Sequence, residues 1–317
     1  MLPQVVGGKF LIDERIGAGA MGVVYRGVDV HLGRMVAIKT LPNLSPNEAL
    51  RLRREARAMA TVAHRNLAMI FGAETWQGRP MLVCEYLAGG TLTERLTRGP
   101  LSIRLTMDIG LALSSVLAAM HRGGVLHRDI KPSNIGFSSD ATPKLLDFGI
   151  ARILTAVSSA GGVAPGDNAG LTGEELALTS ATESAIRGTP LYMSPEALLG
   201  ALPDESFDLW SLAMVLYEAI AGRHPMIADD AASNARPRAP LQTVPDIRTF
   251  LPSAPQEVAA FFARALSIEP ADRPKTADEF HGELVGLSEI ADRLQRGEDG
   301  LGRLDAPMPV RTSSLGP

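Results

Sequence analysis

The sequence lacks the features that mark several common classes of protein. Its single cysteine, Cys84, excludes a disulfide framework and any multi-cysteine zinc or iron–sulfur site. Its formal net charge of −4 gives no electrostatic reason to expect a nucleic-acid partner. No basic segment followed by an apolar run stands at its beginning, so we expect no signal peptide. The longest apolar run, residues 209–220, is shorter than the ~20 residues that cross a membrane, and we expect a cytoplasmic chain without a membrane segment.

The composition is that of a globular protein, and the patterning divides it into two parts. Of the 317 residues, 45% are hydrophobic and 21% are charged, which is enough apolar material for a sizeable core. Short β-branched runs bounded by glycine or proline predict strands near residues 23–25, 35–40 and 81–86. Helical patterns occupy residues 47–60, 105–120, 209–221 and 255–266. A small strand-rich part before a larger helix-rich part predicts an α+β fold with two lobes.

Two segments are predicted to carry little regular structure. Residues 155–185 contain 20 Ala, Gly, Ser or Thr residues in a stretch of 31, with four acidic side chains and no basic one. A connection of this length inside a compact domain is usually functional or disordered. Residues 297–317 are rich in Gly, Pro and Ser and are interpreted as a tail or linker.

A glycine-rich stretch and a lysine in the strand-rich part suggest a phosphate site. Gly17, Gly19 and Gly22 would let the backbone approach phosphates closely, although a glycine-rich hairpin turn explains them about as well. Lys39 ends an apolar run, where it either reaches water from an edge strand or pairs with a carboxylate. Glu55, in the helical segment that follows, is the candidate partner, and it could equally form ion pairs on its own helix surface.

Two strings in the middle of the chain carry the strongest chemical signal. The first is His-Arg-Asp-Ile-Lys-Pro-Ser-Asn at residues 127–134, and the second is Asp-Phe-Gly at residues 147–149. Two carboxylates and an amide at these spacings can take three roles. One group accepts a hydroxyl proton, and the other two bind a hard cation through oxygen. Both strings, in this order after the glycines and the lysine, are very improbable by chance.

On these motifs, the chain resembles the protein kinase catalytic domain, in the bacterial form that is similar to eukaryotic serine/threonine kinases. The resemblance covers residues 10–287, nearly the whole chain. It implies a bilobal protein kinase-like fold that binds ATP between the lobes with Mg²⁺, or Mn²⁺ in its place. The implied divisions are an N-lobe at residues 10–87, a C-lobe at 88–287, an activation segment at 147–196, and a tail or linker at 288–317. Because members of the family are often tethered to a transmembrane helix, the resemblance is also compatible with the cytoplasmic domain of a longer, membrane-anchored protein.

The resemblance also assigns roles to individual residues. Asp129 would act as the catalytic base, with Lys131 near the transferred phosphate and Lys39 on the α- and β-phosphates, paired with Glu55. Asn134 and Asp147 would hold the metal. The nucleotide-binding set that it implies is Ile16, Gly17, Gly19, Gly22, Val24, Ala37, Lys39, Glu85, Leu87, Asn134 and Asp147, of which Glu85 and Leu87 would use backbone atoms.

Further matches concern the C-lobe and the accepting hydroxyl group. Glu196 and Arg273 fit a buried ion pair of the family, and Asp208 fits the aspartate that binds the backbone of the catalytic loop. Lys131 and Thr189 match the serine/threonine pattern rather than the tyrosine pattern. We therefore expect a non-specific serine/threonine protein kinase whose partners are protein substrates, with an N-lobe homodimer as a family-level expectation.

Three arginines suggest how the activation segment is regulated. Arg128, Arg51 and Arg152 fall where the family places the partners of an activation-loop phosphate, although three solvated surface arginines would look the same. The candidate phosphorylation sites on the loop are, in order of preference, Thr182 and then Thr179, Ser180 and Ser184.

One position departs from the family pattern. Gly136 stands where the family usually has leucine or a similar apolar residue under the adenine. Either Phe137 fills that space, or the floor of the adenine site is open. The departure does not involve the residues of phosphoryl transfer.

Two other functions compete with an active protein kinase. A non-catalytic scaffold of the same fold would usually have lost the lysine, the base or the metal-binding aspartate, and Lys39, Asp129 and Asp147 are all present. A small-molecule kinase of related fold would lack the peptide-docking segment at residues 188–196 and would generally replace Arg128. Motif completeness favours the protein kinase.

We predict that Thr182→Ala lowers kinase activity, because the loop would lose the phosphate that the three arginines bind. Mass spectrometry of the protein after incubation with labelled ATP locates the phosphate, and peptide phosphorylation measures the activity. Full activity of the Ala variant would contradict this interpretation.

Overall fold

The computed structural model describes residues 4–19, 22–41, 62–76, 79–146, 190–227 and 243–296. These residues form a strand-rich N-terminal lobe and a helix-rich C-terminal lobe, as the sequence predicts. The predicted strands and the helices near residues 105, 209 and 255 are present. The helix predicted at residues 47–60 lies outside the described residues.

The N-lobe is a six-stranded antiparallel sheet with the order β1-β2-β3-β4-β6-β5. Its strands are β1 (Gln4–Val6), β2 (Phe10–Gly19), β3 (Gly22–Asp29), β4 (Arg34–Thr40), β5 (Ile70–Trp76) and β6 (Arg79–Glu85). Val36 and Ile38 of β4 are fully buried and pack against Met81 and Val83 of β6 on one face. Because side chains alternate along a strand, the residues between them lie on the other face of the sheet.

The described part of the C-lobe contains six α-helices and a small sheet. The helices of the described part are α1 (Leu92–Leu96), α2 (Ile103–Arg122), α3 (Pro195–Leu198), α4 (Glu205–Ala221), α5 (Gln256–Ala265) and α6 (Ala277–Arg296). A two-stranded sheet, β7 (Ile135–Phe137) with β8 (Pro143–Leu145), lies between α2 and α3 in the chain. Helix α4 is apolar on nearly every side, and its Tyr217 packs edge-on against Phe250 and Phe262. A helix that is apolar all round belongs at the centre of a core.

One helix of the described part, α2, is by length and composition apolar enough to cross a membrane. In the fold it packs against α4 and α6, and 56% of its most apolar window is buried. Core helices of soluble proteins share this length and composition.

Helix α6 extends past residue 287, where the sequence predicts the end of the domain. It continues to Arg296. Leu284, Leu287, Ser288 and Ala291 form one buried stripe at helical spacing, and the helix packs against α2.

The ion pair expected between Glu196 and Arg273 is confirmed. The two Nη atoms of Arg273 lie 2.6 and 3.0 Å from the two carboxylate oxygens of Glu196. The Nε of Arg273 donates to the Ser267 carbonyl, and its guanidinium lies 4.5 Å above the Trp210 ring. Burial alone would raise the pKa of Glu196, but the bonds from Arg273 and nearby groups lower it below its ordinary value. The pair connects α3 to the loop before α6.

We predict that Arg273→Ala destabilises the C-lobe by about 3 kcal/mol, because it leaves the Glu196 carboxylate partly buried without its partner. Chemical denaturation measures the free energy of unfolding. The matched control is Arg122→Ala, whose ion pair with Asp278 is exposed and should contribute less than about 1 kcal/mol. Equal losses in the two variants would contradict the prediction.

Candidate active site

The strand register gathers the sequence-predicted residues of the N-lobe on one face of the sheet. Val24 lies directly opposite Lys39, and Ala37 lies opposite Cys84. Cross-strand partners share a face, and this face is opposite to the one that carries the N-lobe core. Lys39 is only 7% exposed, so its ammonium group is held within the protein rather than extended into water.

The glycine-rich hairpin is formed by the end of β2 and the start of β3. Ile16, Gly17 and Gly19 lie on β2, and Gly22 begins β3. The backbone of Gly22 has a φ of +126°, and an added Cβ would lie 1.8 Å from the Thr40 carbonyl oxygen. At Gly17 the nearest atom to an added Cβ is 3.7 Å away. Gly22 is therefore required by the close approach of the hairpin to β4, whereas Gly17 leaves the backbone surface open.

Glu85 connects the two lobes. Its carboxylate oxygens accept bonds from Lys144 Nζ of β8 at 2.7 and 2.8 Å, and one of them also accepts the Met69 N–H. Both side chains of the ion pair are largely buried, with 14% and 19% exposed. The Glu85 N–H also donates to the Met69 carbonyl at 2.8 Å, so both the side chain and the N–H of Glu85 are engaged within the protein. Leu87 follows two residues later, where the chain enters the C-lobe.

Three residues of the first catalytic string are bonded to one another. Lys131 Nζ lies 2.9 Å from both carboxylate oxygens of Asp129. Asn134 Nδ2 donates to the carbonyl oxygen and to Oδ2 of Asp129, each at 2.8 Å. The Asp129 side chain keeps 23% of its surface exposed. The carboxylate is therefore oriented from two sides and remains open to the cleft.

A buried carboxylate holds the backbone of this loop. Asp208 of α4 is 1% exposed and accepts the N–H groups of His127 and Arg128 at 2.8 and 2.7 Å. This confirms the role expected for Asp208, and His121 Nε2 is a further partner at 3.0 Å. Arg128 adopts a left-handed φ of +65°, which is uncommon for a residue other than glycine. The bond from its N–H to Asp208 stabilises this conformation.

His127 joins the two catalytic strings. Its Nδ1 accepts the Asp129 N–H at 3.2 Å, so the neutral ring must carry its proton on Nε2. That Nε2 lies 2.8 Å from the Leu146 carbonyl, the residue before Asp147. The fully buried ring thus bonds both to the backbone of the base and to the start of the second string.

Several sequence-predicted residues lie outside the described part of the chain. These are Arg51, Glu55, Asp147, Arg152, Thr179, Ser180, Thr182 and Ser184. Among the expected partners of a loop phosphate, Arg128 is described and is exposed.

A partly buried polar cluster near the activation segment was not predicted from the sequence. The Tyr192 hydroxyl donates to Glu218 Oε2 at 2.5 Å, and His224 packs edge-on against the Tyr192 ring. Burial raises the pKa of Glu218, although the bond from Tyr192 lowers it, and burial lowers the pKa of His224 to about 4. The position of Tyr192 within residues 188–196 was the available signal. For Glu218 and His224, a single sequence contains no signal that indicates this role.

The geometry defines a class of protein. A sheet lobe presents a buried lysine on its cleft face, and a helical lobe presents an oriented carboxylate with a lysine and an amide beside it. An ion pair connects the lobes behind the cleft. This is the arrangement of a bilobal phosphotransferase.

Comparison with known proteins places the chain within that class. The family model described as "Protein kinase domain" matches residues 10–283, and the chain belongs to this family. It is 36% identical over 306 residues to serine/threonine-protein kinase PknK of Mycobacterium tuberculosis and 32% identical over 285 residues to PknL of the same organism. These alignments cover 94% and 89% of the chain, but only 24% of PknK and 66% of PknL. The chain thus spans a quarter to two thirds of the length of these relatives.

The solved structures confirm the fold. The crystal structure of the Mycobacterium tuberculosis PknI kinase domain superimposes with a TM-score of 0.66 at 22% identity, covering 90% of this chain and 99% of that one. The expected α+β, bilobal protein kinase fold is therefore confirmed. The resemblance to bacterial kinases of the eukaryotic type is confirmed by the family model and by the sequence relatives.

We predict that Gly22→Ala lowers the free energy of unfolding by about 2 kcal/mol or more, because its Cβ would overlap the Thr40 carbonyl oxygen. The matched control is Gly33→Ala. Gly33 also has a positive φ, of +66°, but an added Cβ meets nothing within 4 Å, so only about 1 kcal/mol of backbone strain is expected. Denaturant unfolding separates the two, and a smaller loss at Gly22 than at Gly33 would contradict the prediction.

Proposed function

We propose that this protein is a serine/threonine protein kinase that transfers the γ-phosphoryl group of ATP to serine and threonine hydroxyls of proteins. The observation that carries the proposal is the bonded set Asp129, Lys131 and Asn134 on a backbone held by buried Asp208. The curated relatives bear the name serine/threonine-protein kinase, which supports the same activity here. Lys131 supports serine or threonine as the acceptor.

Asp129 is the proposed catalytic base. Its carboxylate accepts bonds from Lys131 and Asn134 and keeps 23% of its surface exposed, and this exposed part would accept the proton of a substrate hydroxyl. Lys131, 18% exposed, would place its positive charge near the transferred phosphoryl group as that group gains negative charge. Catalysis of phosphoryl transfer depends chiefly on such positioning and charge stabilisation.

The residues present fit a divalent cation. Both bonds of the Asn134 amide to Asp129 use the nitrogen, so its Oδ1 is left as an oxygen ligand, which Mg²⁺ or Mn²⁺ prefers. Asp147 is the proposed second ligand. When bound, the cation would neutralise charge on the phosphate oxygens. His127 bonds to the backbone of Asp129, which in turn accepts a bond from Asn134, and to the carbonyl of Leu146, the residue before Asp147.

ATP is proposed to bind on the cleft face of the N-lobe sheet. Val24 and Ala37 would enclose the adenine, while the Glu85 carbonyl and the Leu87 N–H would bond to its edge. Lys39, with Glu55 as its proposed partner, would contact the α- and β-phosphates. Ile16, Gly17, Gly19 and Gly22 would cover the phosphates from the hairpin above.

Regulation and location are further parts of the proposal. Phosphate on Thr182, or on a neighbouring hydroxyl of the same loop, would bind Arg128 together with Arg51 and Arg152. The exposed position of Arg128 supports this. An N-lobe homodimer and a cytoplasmic location are proposed by analogy with the family.

We predict that Asp129→Asn lowers phosphoryl transfer to a basic protein at least about 100-fold, because the base is lost. The affinity for ADP should change by less than about twofold, since Asp129 does not bind the nucleotide in this proposal. Labelled ATP with Mg²⁺ measures transfer, and calorimetric titration measures ADP binding.

The matched control is Asp278→Asn, which removes an exposed carboxylate from α6 and should leave transfer unchanged. Undiminished transfer by Asp129→Asn would contradict the proposed base. Nucleotide binding by the wild-type protein without any transfer would favour the non-catalytic scaffold instead.

A further inference from the structure

The space above Gly136 is already occupied. Gly136 is buried in the middle of β7, opposite Lys144 of β8. An added Cβ would lie 2.5 Å from Leu87 Cδ1 and 3.1 Å from Leu146 Cδ1. Two leucine side chains, with Leu87 the nearer, therefore fill the position that a side chain at residue 136 would take. The space beside Gly136 is therefore filled by leucine side chains from other parts of the chain.

Phe137 does not fill this space. It follows Gly136 in the same strand and so points to the opposite face. The ring is 1% exposed in the core of the C-lobe, and the Arg95 guanidinium lies 3.2 Å from its centroid. The sequence left two possibilities open. Filling of the space by Phe137 is therefore wrong, and an empty space is excluded because Leu87 occupies it.

The backbone after β6 is held against β7, which places Leu87 over Gly136. The Gly89 N–H donates to the Phe137 carbonyl at 2.8 Å, and the Phe137 N–H donates to the Gly90 carbonyl at 2.9 Å. An added Cβ at Gly89 would lie 2.7 Å from the Phe137 carbonyl oxygen, so the two segments approach as closely as a glycine allows. The half-buried Leu87 side chain thus has a defined position rather than one of many rotamers in water.

We propose that the Leu87 side chain forms the apolar surface beneath the purine base of the bound nucleotide, and that Gly136 is glycine in order to admit it. The inference rests on the proposed function, since it assigns the base contact within the proposed ATP site. It goes beyond the backbone bond expected of Leu87. The leucine that the family places on β7 is supplied here from the segment that connects the lobes.

The test exchanges the leucine between the two positions. Leu87→Ala should weaken the binding of ADP about tenfold, because the base loses an apolar contact. Gly136→Leu should also weaken binding, because the new side chain and Leu87 compete for one space. The double variant Leu87→Ala/Gly136→Leu should bind more tightly than either single variant, since one leucine again occupies that space.

Two matched variants control for the chemical changes. Leu199→Ala removes a leucine that is 70% exposed, and Gly282→Ala adds a methyl group where nothing lies within 4 Å. Neither should change the affinity. Thermal unfolding of each variant reports folding, and if Gly136→Leu does not fold, Gly136→Ala with and without Leu87→Ala provides the same comparison with a smaller group.

Calorimetric titration with ADP and with adenosine separates the outcomes. An equal loss for both ligands in Leu87→Ala supports a contact with the base. A loss for ADP alone, unchanged affinity in Leu87→Ala, or a double variant no better than Gly136→Leu would overturn the inference while leaving the proposed function intact. Failure of the wild-type protein to bind ADP would instead overturn the proposed function.

Discussion

The buried carboxylate of Asp208 is the interaction on which the rest of the site depends. A carboxylate at 1% exposure is costly unless its oxygens are bonded, and here two backbone N–H groups and an imidazole supply the bonds. The same bonds stabilise the left-handed backbone of Arg128, which would otherwise be strained. The stability of the α4 core and the conformation of the catalytic loop are thereby linked. The buried charge of Asp208 needs the N–H groups of the loop, and the left-handed backbone of Arg128 is stabilised by its bond to Asp208.

Hydrogen bonds and the strand β8 together link this carboxylate to the connection between the lobes. Asp208 holds the backbone of His127 through its N–H, and the imidazole of His127 bonds to the Asp129 N–H and the Leu146 carbonyl. Beyond Leu146, β8 carries Lys144, whose ammonium group binds Glu85 at the end of the N-lobe sheet. The two lobes are therefore joined by the same strand pair that supports the catalytic loop.

Much of this arrangement could be predicted from the sequence, for identifiable physical reasons. Lys39, Asp129 and Asn134 stand in strings whose spacing is specific, and β4 and β6 are apolar runs with the alternation of strands. Strand β2 was missed because Asp13, Glu14 and Arg15 give it no such alternation. Helix α6 was missed, although Leu284, Leu287 and Ala291 of its buried stripe stand at helical spacing.

The residues that the sequence could not reveal are those whose role depends on a neighbour distant in the chain. Gly136 alone indicates a missing side chain, and only the fold shows that a leucine 49 positions earlier fills the space. The consequence reaches beyond the base contact itself. Leu87 lies between Glu85, which binds β8, and Gly89, which binds β7, so its position is set by the connection between the lobes. A base contact made by Leu87 would therefore depend on the relative position of the lobes, because any shift of the connecting segment also moves Leu87. A contact made by a side chain of β7 would depend on it less directly.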